Sequence, residues 1–291
     1  MINIICFQIY YFNVLKLHNF HLYKCLCLLL QISLPYKLVV AMDRWVGKVA
    51  VVTGASAGIG ASIVEKLVQK GIIVAGFARR VERVENLAKK LEDAKGKLYG
   101  LKVDITVEDD IIKAFDWIKD NLGPVHILIN NAGISRSGSL ISGNAQTWKE
   151  ILETNVLGLC VATREAVKNM KSNNVEGHIV HINSVAGHKH VGLPHMNVYS
   201  ASKYAVTALG DNLRDELRKN RLKIKVSSIS PGLVITEIHE KAQLTGKEIQ
   251  WIRNEPILNA DDVADAVSYV LGTPPHVQIQ ELTITPIGER I

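Results

Sequence analysis

Short runs of β-branched and aliphatic residues alternate with longer amphipathic stretches from Lys48 to the end of the chain. The short runs predict seven strands: Lys48–Thr53, Ile72–Ala78, Leu98–Val103, Ile127–Asn130, Gly177–Ile182, Lys225–Ser230 and Gln280–Thr285. The intervening stretches carry apolar residues at helical spacing and predict helices over Gly60–Lys70, Val81–Lys95, Val107–Asn121, Thr147–Lys171, Tyr199–Arg218 and Asp261–Leu271. Strands that alternate with helices over this length predict a mainly parallel seven-stranded sheet covered by helices on both faces, an α/β fold. In such folds ligands lie beyond the carboxyl ends of the strands, so the residues just after each strand are the candidates for function.

The first 41 residues break this pattern. They are apolar but interrupted by Asn13, His18, Asn19, His21 and Lys24, and their longest clean apolar run is Cys25–Leu30. That is too short for a bilayer span, which takes ~20 apolar residues, and the segment lacks the layout of a signal peptide. Met42-Asp43-Arg44-Trp45 leads directly into the first strand and is the expected natural start, with residues 1–41 an extension outside the native fold; the alternative is a weak membrane anchor. Residues 42–291, without a Pro/Gly/Ser-rich linker or internal repeat, are expected to form a single domain.

Composition narrows the function classes. The formal charge is +6, but Lys16, Lys24 and Lys37 of the extension supply half of it. The remaining excess forms no basic run or basic-aromatic stripe, which argues against nucleic acid and suits one anionic cofactor. Three of the four cysteines (Cys6, Cys25, Cys27) lie in the extension, so a disulfide framework is not expected and a reducing, cytoplasmic setting fits. Cys160 reads as a small buried residue on a helix.

The first strand runs into Thr53-Gly54-Ala55-Ser56-Ala57-Gly58-Ile59-Gly60 and then a helix. Glycines there let the backbone approach a pyrophosphate, and free N–H groups at the helix start favour that anion, so Gly54, Ser56, Gly58, Ile59 and Gly60 are candidate cofactor residues. A P-loop is excluded because no Gly-Lys-Ser/Thr follows. The second strand ends in Ala78-Arg79-Arg80, without the acid that accepts from a ribose in NAD sites. Arginine forks grip a 2′-phosphate, which favours NADP(H); otherwise Arg79 and Arg80 are solvated residues at a helix start. Asp104-Ile105 follows the third strand, where the Asp either accepts from an adenine amino group or caps the next helix. Asn130-Asn131-Ala132-Gly133 follows the fourth, and its small residues would let the chain pass close to a flat cofactor or simply turn.

Tyr199 and Lys203 stand four apart on one helix face. An ammonium beside a phenol favours the phenolate, which would let Tyr199 exchange a proton with a substrate oxygen. Ser184, just past the fifth strand, could polarise the same oxygen. These motifs, with Asn155 and Pro231-Gly232, jointly resemble the short-chain dehydrogenase/reductase family over essentially all of 42–291. Met42–Val46, Gly187-His188 and Tyr199–Leu209 further resemble its member-11-like group, which includes insect farnesol dehydrogenases and vertebrate 17-beta-hydroxysteroid/3-ketosteroid reductases.

The resemblance implies a three-layer Rossmann fold and an NADP(H)-dependent alcohol–carbonyl oxidoreductase, often a homodimer or homotetramer. It makes Tyr199 the general acid or base, has Lys203 lower its pKa and bind the nicotinamide ribose, and has Ser184 orient the substrate oxygen. Asn155 would hold a proton-relay water, and Pro231, Gly232, Val234 and Thr236 would border the nicotinamide and phosphates. Ala57 departs from NADP-preferring relatives, many of which carry a basic residue there.

Leu193, Met196, Leu233, Ile235, Ile238 and Trp251 could give an apolar wall for a lipophilic substrate, farnesol or a related prenol foremost, a steroid or other carbonyl next; each is equally readable as core. His188, His190 and His195 have no acid or cysteine ligands beside them and read as loop or surface residues, not a metal site. A non-catalytic NADP-binding regulator is the reading from another class, and it would usually lose Tyr199, Lys203 or Ser184.

Overall fold

The computed structural model describes residues 42–192, 196–234, 236–237 and 255–290. The extension over 1–41 therefore lies outside the described residues. Seven strands form one sheet: β1 (Val49–Thr53), β2 (Ile73–Ala78), β3 (Lys97–Lys102), β4 (Val125–Asn130), β5 (His178–Ile182), β6 (Lys225–Pro231) and β7 (Glu281–Ile284), in the order β3-β2-β1-β4-β5-β6-β7. Every pairing between them is parallel, which sharpens the expectation of a mainly parallel sheet.

The helices are α1 (Gly58–Gln69), α2 (Val81–Lys90), α3 (Glu108–Asn121), α4 (Ala145–Leu152), α5 (Gly158–Ser172), α6 (Asn197–Lys219) and α7 (Ala260–Leu271). Side chains of a strand alternate between faces, and β1 shows the result. Ala50 and Val52 join one core with Ile63, Val64 and Leu67 of α1 and Val263, Val267 and Val270 of α7. Val49 and Val51 join the other core with Ile111 and Ile118 of α3, Ala162 and Met170 of α5 and Leu217 of α6. Both faces of the sheet are thus covered, which is why all five residues of β1 are buried and read as one apolar run. Phe77 meets Phe115 edge-on, with ring centroids 5.8 Å apart.

Two predicted helices differ from the structure. The stretch Val81–Lys95 is helical only to Lys90. The chain must turn before Gly96, where a Cβ would fall 2.1 Å from the Ile72 carbonyl oxygen. The predicted helix Thr147–Lys171 begins at Ala145, because the Asn144 side chain caps the Gln146 N–H at 2.8 Å, and it is interrupted by a π-helical segment, Glu153–Leu157. Cys160 on α5 is half-buried, and burial raises its thiol pKa.

The chain reverses direction across the sheet between β1 and β4. The crevice outside their carboxyl ends is where an open α/β sheet takes its ligand.

Candidate active site

Thr53, the last residue of β1, joins the two strands at this crevice. Its Oγ1 accepts from the backbone N–H groups of Asn131 (3.0 Å) and Ala132 (2.9 Å), just past β4. Asn131 Nδ2 returns bonds to the carbonyls of Thr53 (2.8 Å) and Gly54 (3.3 Å). Gly54 has φ +68°, and a Cβ on Gly60 would lie 2.2 Å from Gly54 O and 2.5 Å from Asn131 Nδ2. The turn between β1 and α1 is therefore shaped by close backbone approach. Ala57 supplies no side-chain cap to α1, so the N–H groups of the first turn stay available to an anion.

A cleft of about 430 Å³ opens above this turn. It is lined by Gly54, Ser56, Gly58, Ile59, Gly60, Arg79, Arg80, Asp104, Ile105, Asn131, Ala132, Gly133, Ser184, Tyr199, Lys203, Pro231, Gly232, Val234 and Thr236. The sequence-predicted residues thus converge on one cavity, Asn155 excepted. Ile134, Arg136, Thr154, Val191, Met196, Leu233 and Glu237 complete much of its wall. Of the predicted apolar wall, Met196 and Leu233 line the cleft, whereas Leu193, Ile235, Ile238 and Trp251 lie outside the described residues, as does His195.

At one end, Tyr199 sits on α6 against Val185, Ala186 and Val191. Lys203 Nζ lies 5.7 Å from the Tyr199 ring centroid and donates to the Ile182 carbonyl at 2.9 Å. Ser184 Oγ accepts from Ala186 N–H at 3.1 Å and hydrogen-bonds Tyr199. Burial raises the Tyr199 pKa, and the Ser184 bond opposes that push. Burial also lowers Lys203 to about 8. In the free protein the low-dielectric surroundings disfavour both charged forms, and burial is the main influence on Tyr199. Near neutrality Tyr199 is a phenol with a proton to give.

Asn155 lies in the π segment, behind this end. Its Oδ1 accepts from Ile134 N–H (2.8 Å), and its Nδ2 donates to Ile134 O (2.9 Å) and Ser202 Oγ (3.0 Å). Ser202 Oγ in turn donates to Tyr199 O at 2.6 Å. Both amide hydrogens of Asn155 are committed to the frame around Tyr199. A π turn inside a helix is a frequent mark of a functional site.

At the other end, Arg79 is exposed and stands 4.0 Å from Asp104 Oδ2. Asp104 Oδ1 accepts from Thr106 N–H (3.0 Å) and Oγ1 (2.8 Å), so the Asp closes the turn before α3 while facing the cleft. Arg80 pairs with Glu237 at 2.8 Å, and Arg83 meets the same carboxylate at 2.5 Å. Glu237, far away in sequence and without a motif around it, escaped the sequence reading; so did Thr53 as a strand-end staple, although its place before Gly54 marked it. His188, read as a loop or surface histidine, is 2.9 Å from Ser230 Oγ and 3.4 Å from Glu281 Oε2.

A parallel sheet with a glycine turn after β1, a Ser just past β5 and a Tyr/Lys pair on α6 defines a class of oxidoreductase. The family model described as short chain dehydrogenase matches residues 48–246, and the chain belongs to the short-chain dehydrogenase/reductase family. Among particular proteins, it is 50% identical to farnesol dehydrogenase of Aedes aegypti over 251 residues, covering 86% of this chain and 100% of that one. It is 43% identical over 256 residues to human dehydrogenase/reductase SDR family member 11, covering 84% and 96%. Among solved structures, the closed form of serine dehydrogenase complexed with NADP+ superimposes with TM-score 0.75 at 31% identity, covering 84% of this chain and 96% of that one. Among the described residues, no helix is long and apolar enough to cross a membrane.

Proposed function

We propose that this oxidoreductase uses NADP(H) to interconvert an alcohol and a carbonyl on a lipophilic substrate, with farnesol or a related prenol and its aldehyde as the leading pair. The observation that carries the reading is the polarity of the cleft: a Ser184/Tyr199/Lys203 set at one end and two arginines after β2 at the other. The glycine-shaped turn and the uncapped start of α1 between them fit a pyrophosphate. Arg79 and Arg80 fit a 2′-phosphate, and Asp104 fits the adenine end.

The nicotinamide, when bound, supplies or accepts the hydride. The chain's own residues handle the oxygen and its proton. In reduction Ser184 would donate a hydrogen bond to the carbonyl oxygen, and Tyr199 Oη would give that oxygen its proton. In oxidation Tyr199 would take the proton from the alcohol. Lys203 steadies the phenolate left on Tyr199, and Asn155 holds the local frame through Ile134 and Ser202. Because the amide hydrogens of Asn155 are committed, a relay water held by it would bond to oxygen. Met196, Leu233, Val191 and Ile134 offer the apolar contact that suits an isoprenoid. Identity to the mosquito farnesol dehydrogenase over its whole length supports that choice.

The test is turnover of the purified chain, followed by nicotinamide absorbance. Farnesol oxidation with NADP+ well above that of steroid ketones with NADPH is the expected result. Preference for ketones with NADPH would replace the prenol reading with a carbonyl or steroid reductase. Tight NADPH binding without any turnover would favour a regulator.

A further inference from the structure

The turn Pro231–Gly232–Leu233 lines the cleft, and the C-terminal tail meets it from behind. Gly232 N–H bonds to Ile284 O at 2.8 Å, and the Leu233 N–H donates to Glu289 Oε1 at 2.8 Å. A Cβ on Gly232 would fall 2.3 Å and 2.4 Å from the two carboxylate oxygens of Glu289. As placed, the Glu289 carboxylate packs into the space that a side chain at position 232 would fill, although it lies 57 positions further along the chain. Glu289 Oε2 is enclosed and has no hydrogen-bond partner. An enclosed carboxylate oxygen left unpaired is costly, and a nearby positive charge offsets that cost.

We propose that Glu289 is a positioning residue whose charge, held against Gly232, biases the site toward the oxidised nicotinamide. This rests on the NADP(H) reading above and on the family resemblance, which puts this turn beside the nicotinamide; the turn lines the same cleft as Ser184, Tyr199 and Lys203. The oxidised ring carries a positive charge and the reduced ring does not, so a fixed anion behind the turn favours NADP+ over NADPH. The Leu233 bond separately fixes the backbone of the turn. In the alcohol-oxidising direction the bias holds the reactant form of the cofactor. In the reducing direction it holds the product form and slows its release, and the two directions therefore respond differently to loss of the charge.

The experiment measures dissociation constants of NADP+ and NADPH for the full chain, for Glu289→Gln and for Glu289→Ala, with thermal melting alongside. Glutamine keeps an oxygen for the Leu233 N–H and removes the charge. It should weaken NADP+ by about fivefold with little change for NADPH, the melt serving to show that the variant is folded. Alanine also frees the Leu233 N–H, and should add a further loss common to both forms. Equal changes for the two forms in Glu289→Gln, or none, would overturn the charge bias alone. Failure of the unaltered chain to bind either form would remove the cofactor reading and this proposal with it.

Discussion

Arg80 Nη2 lies 2.8 Å from Glu237 Oε2, so one of the two arginines assigned to the 2′-phosphate already has a carboxylate partner. An incoming phosphate must compete with Glu237 for that guanidinium, whereas Arg79 is more exposed and its carboxylate neighbour, Asp104, stands farther off at 4.0 Å. Partly exposed ion pairs contribute only about 0–1 kcal/mol. Glu237→Gln should therefore tighten NADPH by a few-fold at most and leave NADH unchanged. Arg79→Ala should weaken NADPH by roughly tenfold or more, from loss of charge-assisted bonds, with NADH little affected. Titration of both cofactors checks the pair of variants; equal losses for NADPH and NADH in Arg79→Ala would remove the phosphate assignment.

Tyr199→Phe keeps the ring and deletes the proton. It should lower kcat by about 10²–10⁴-fold while cofactor binding survives. Wild-type turnover in this variant would refute the mechanism.

Lys203 titrates at about 8 in the free protein. In the proposed mechanism its charge steadies the phenolate that forms as Tyr199 gives up its proton, so the reductive kcat/KM should decline as pH rises through about 8. The pH profile of kcat/KM reports groups of the free enzyme. A profile that stays level to high pH would contradict this role for Lys203.

Asn155→Ala would strip partners from the Ile134 N–H and carbonyl and from Ser202. Buried polar groups left unpaired cost about 1–3 kcal/mol each. A calorimetric melt should show a clear drop, accompanied by a lower kcat because Ser202 also holds the Tyr199 backbone. An unchanged melting temperature would mean that the frame closes by other bonds.

His181 on β5 is buried, with Nδ1 3.2 Å from Asn130 Nδ2, and burial lowers its pKa from 6.5 to about 4. The folded value lies below the unfolded one. The stability it confers is thus fully present above 6.5 and is lost as pH falls through the folded value near 4, about 3 kcal/mol in all. His181→Gln should flatten the acid limb of stability between these values, as read from denaturant midpoints across pH. A limb as steep as in the unaltered chain would assign acid sensitivity elsewhere.

Much of this architecture was readable because it is local. The apolar run Val49–Thr53, the glycines behind it and the Tyr199/Lys203 spacing each state their structure within a few residues. The features that escaped depend on distant partners. The π segment at Glu153–Leu157 is helical in its pattern and is betrayed only by the bonds of Asn155 to Ile134. The early end of α2 follows from the space Gly96 finds against Ile72, not from the lysine-rich run preceding it. Glu237 lines the cleft and Glu289 backs its Gly232 turn from positions that no short motif connects to it. Of the apolar wall, Met196 and Leu233 were legible as hydrophobic but could not be told from core by pattern alone, since burial on either side of a strand end reads the same.

The crowding around Gly60 also separates what is adjustable in this protein from what is not. The turn from β1 to α1 is closed by backbone, Thr53 and Asn131, so a side chain at Gly60 would strike the Gly54 carbonyl. The rim is built of side chains near solvent, Arg80 and Arg83 paired with Glu237 and Arg79 facing Asp104. An engineer who wishes to exchange one nicotinamide cofactor for the other should leave the turn alone and rewrite the rim.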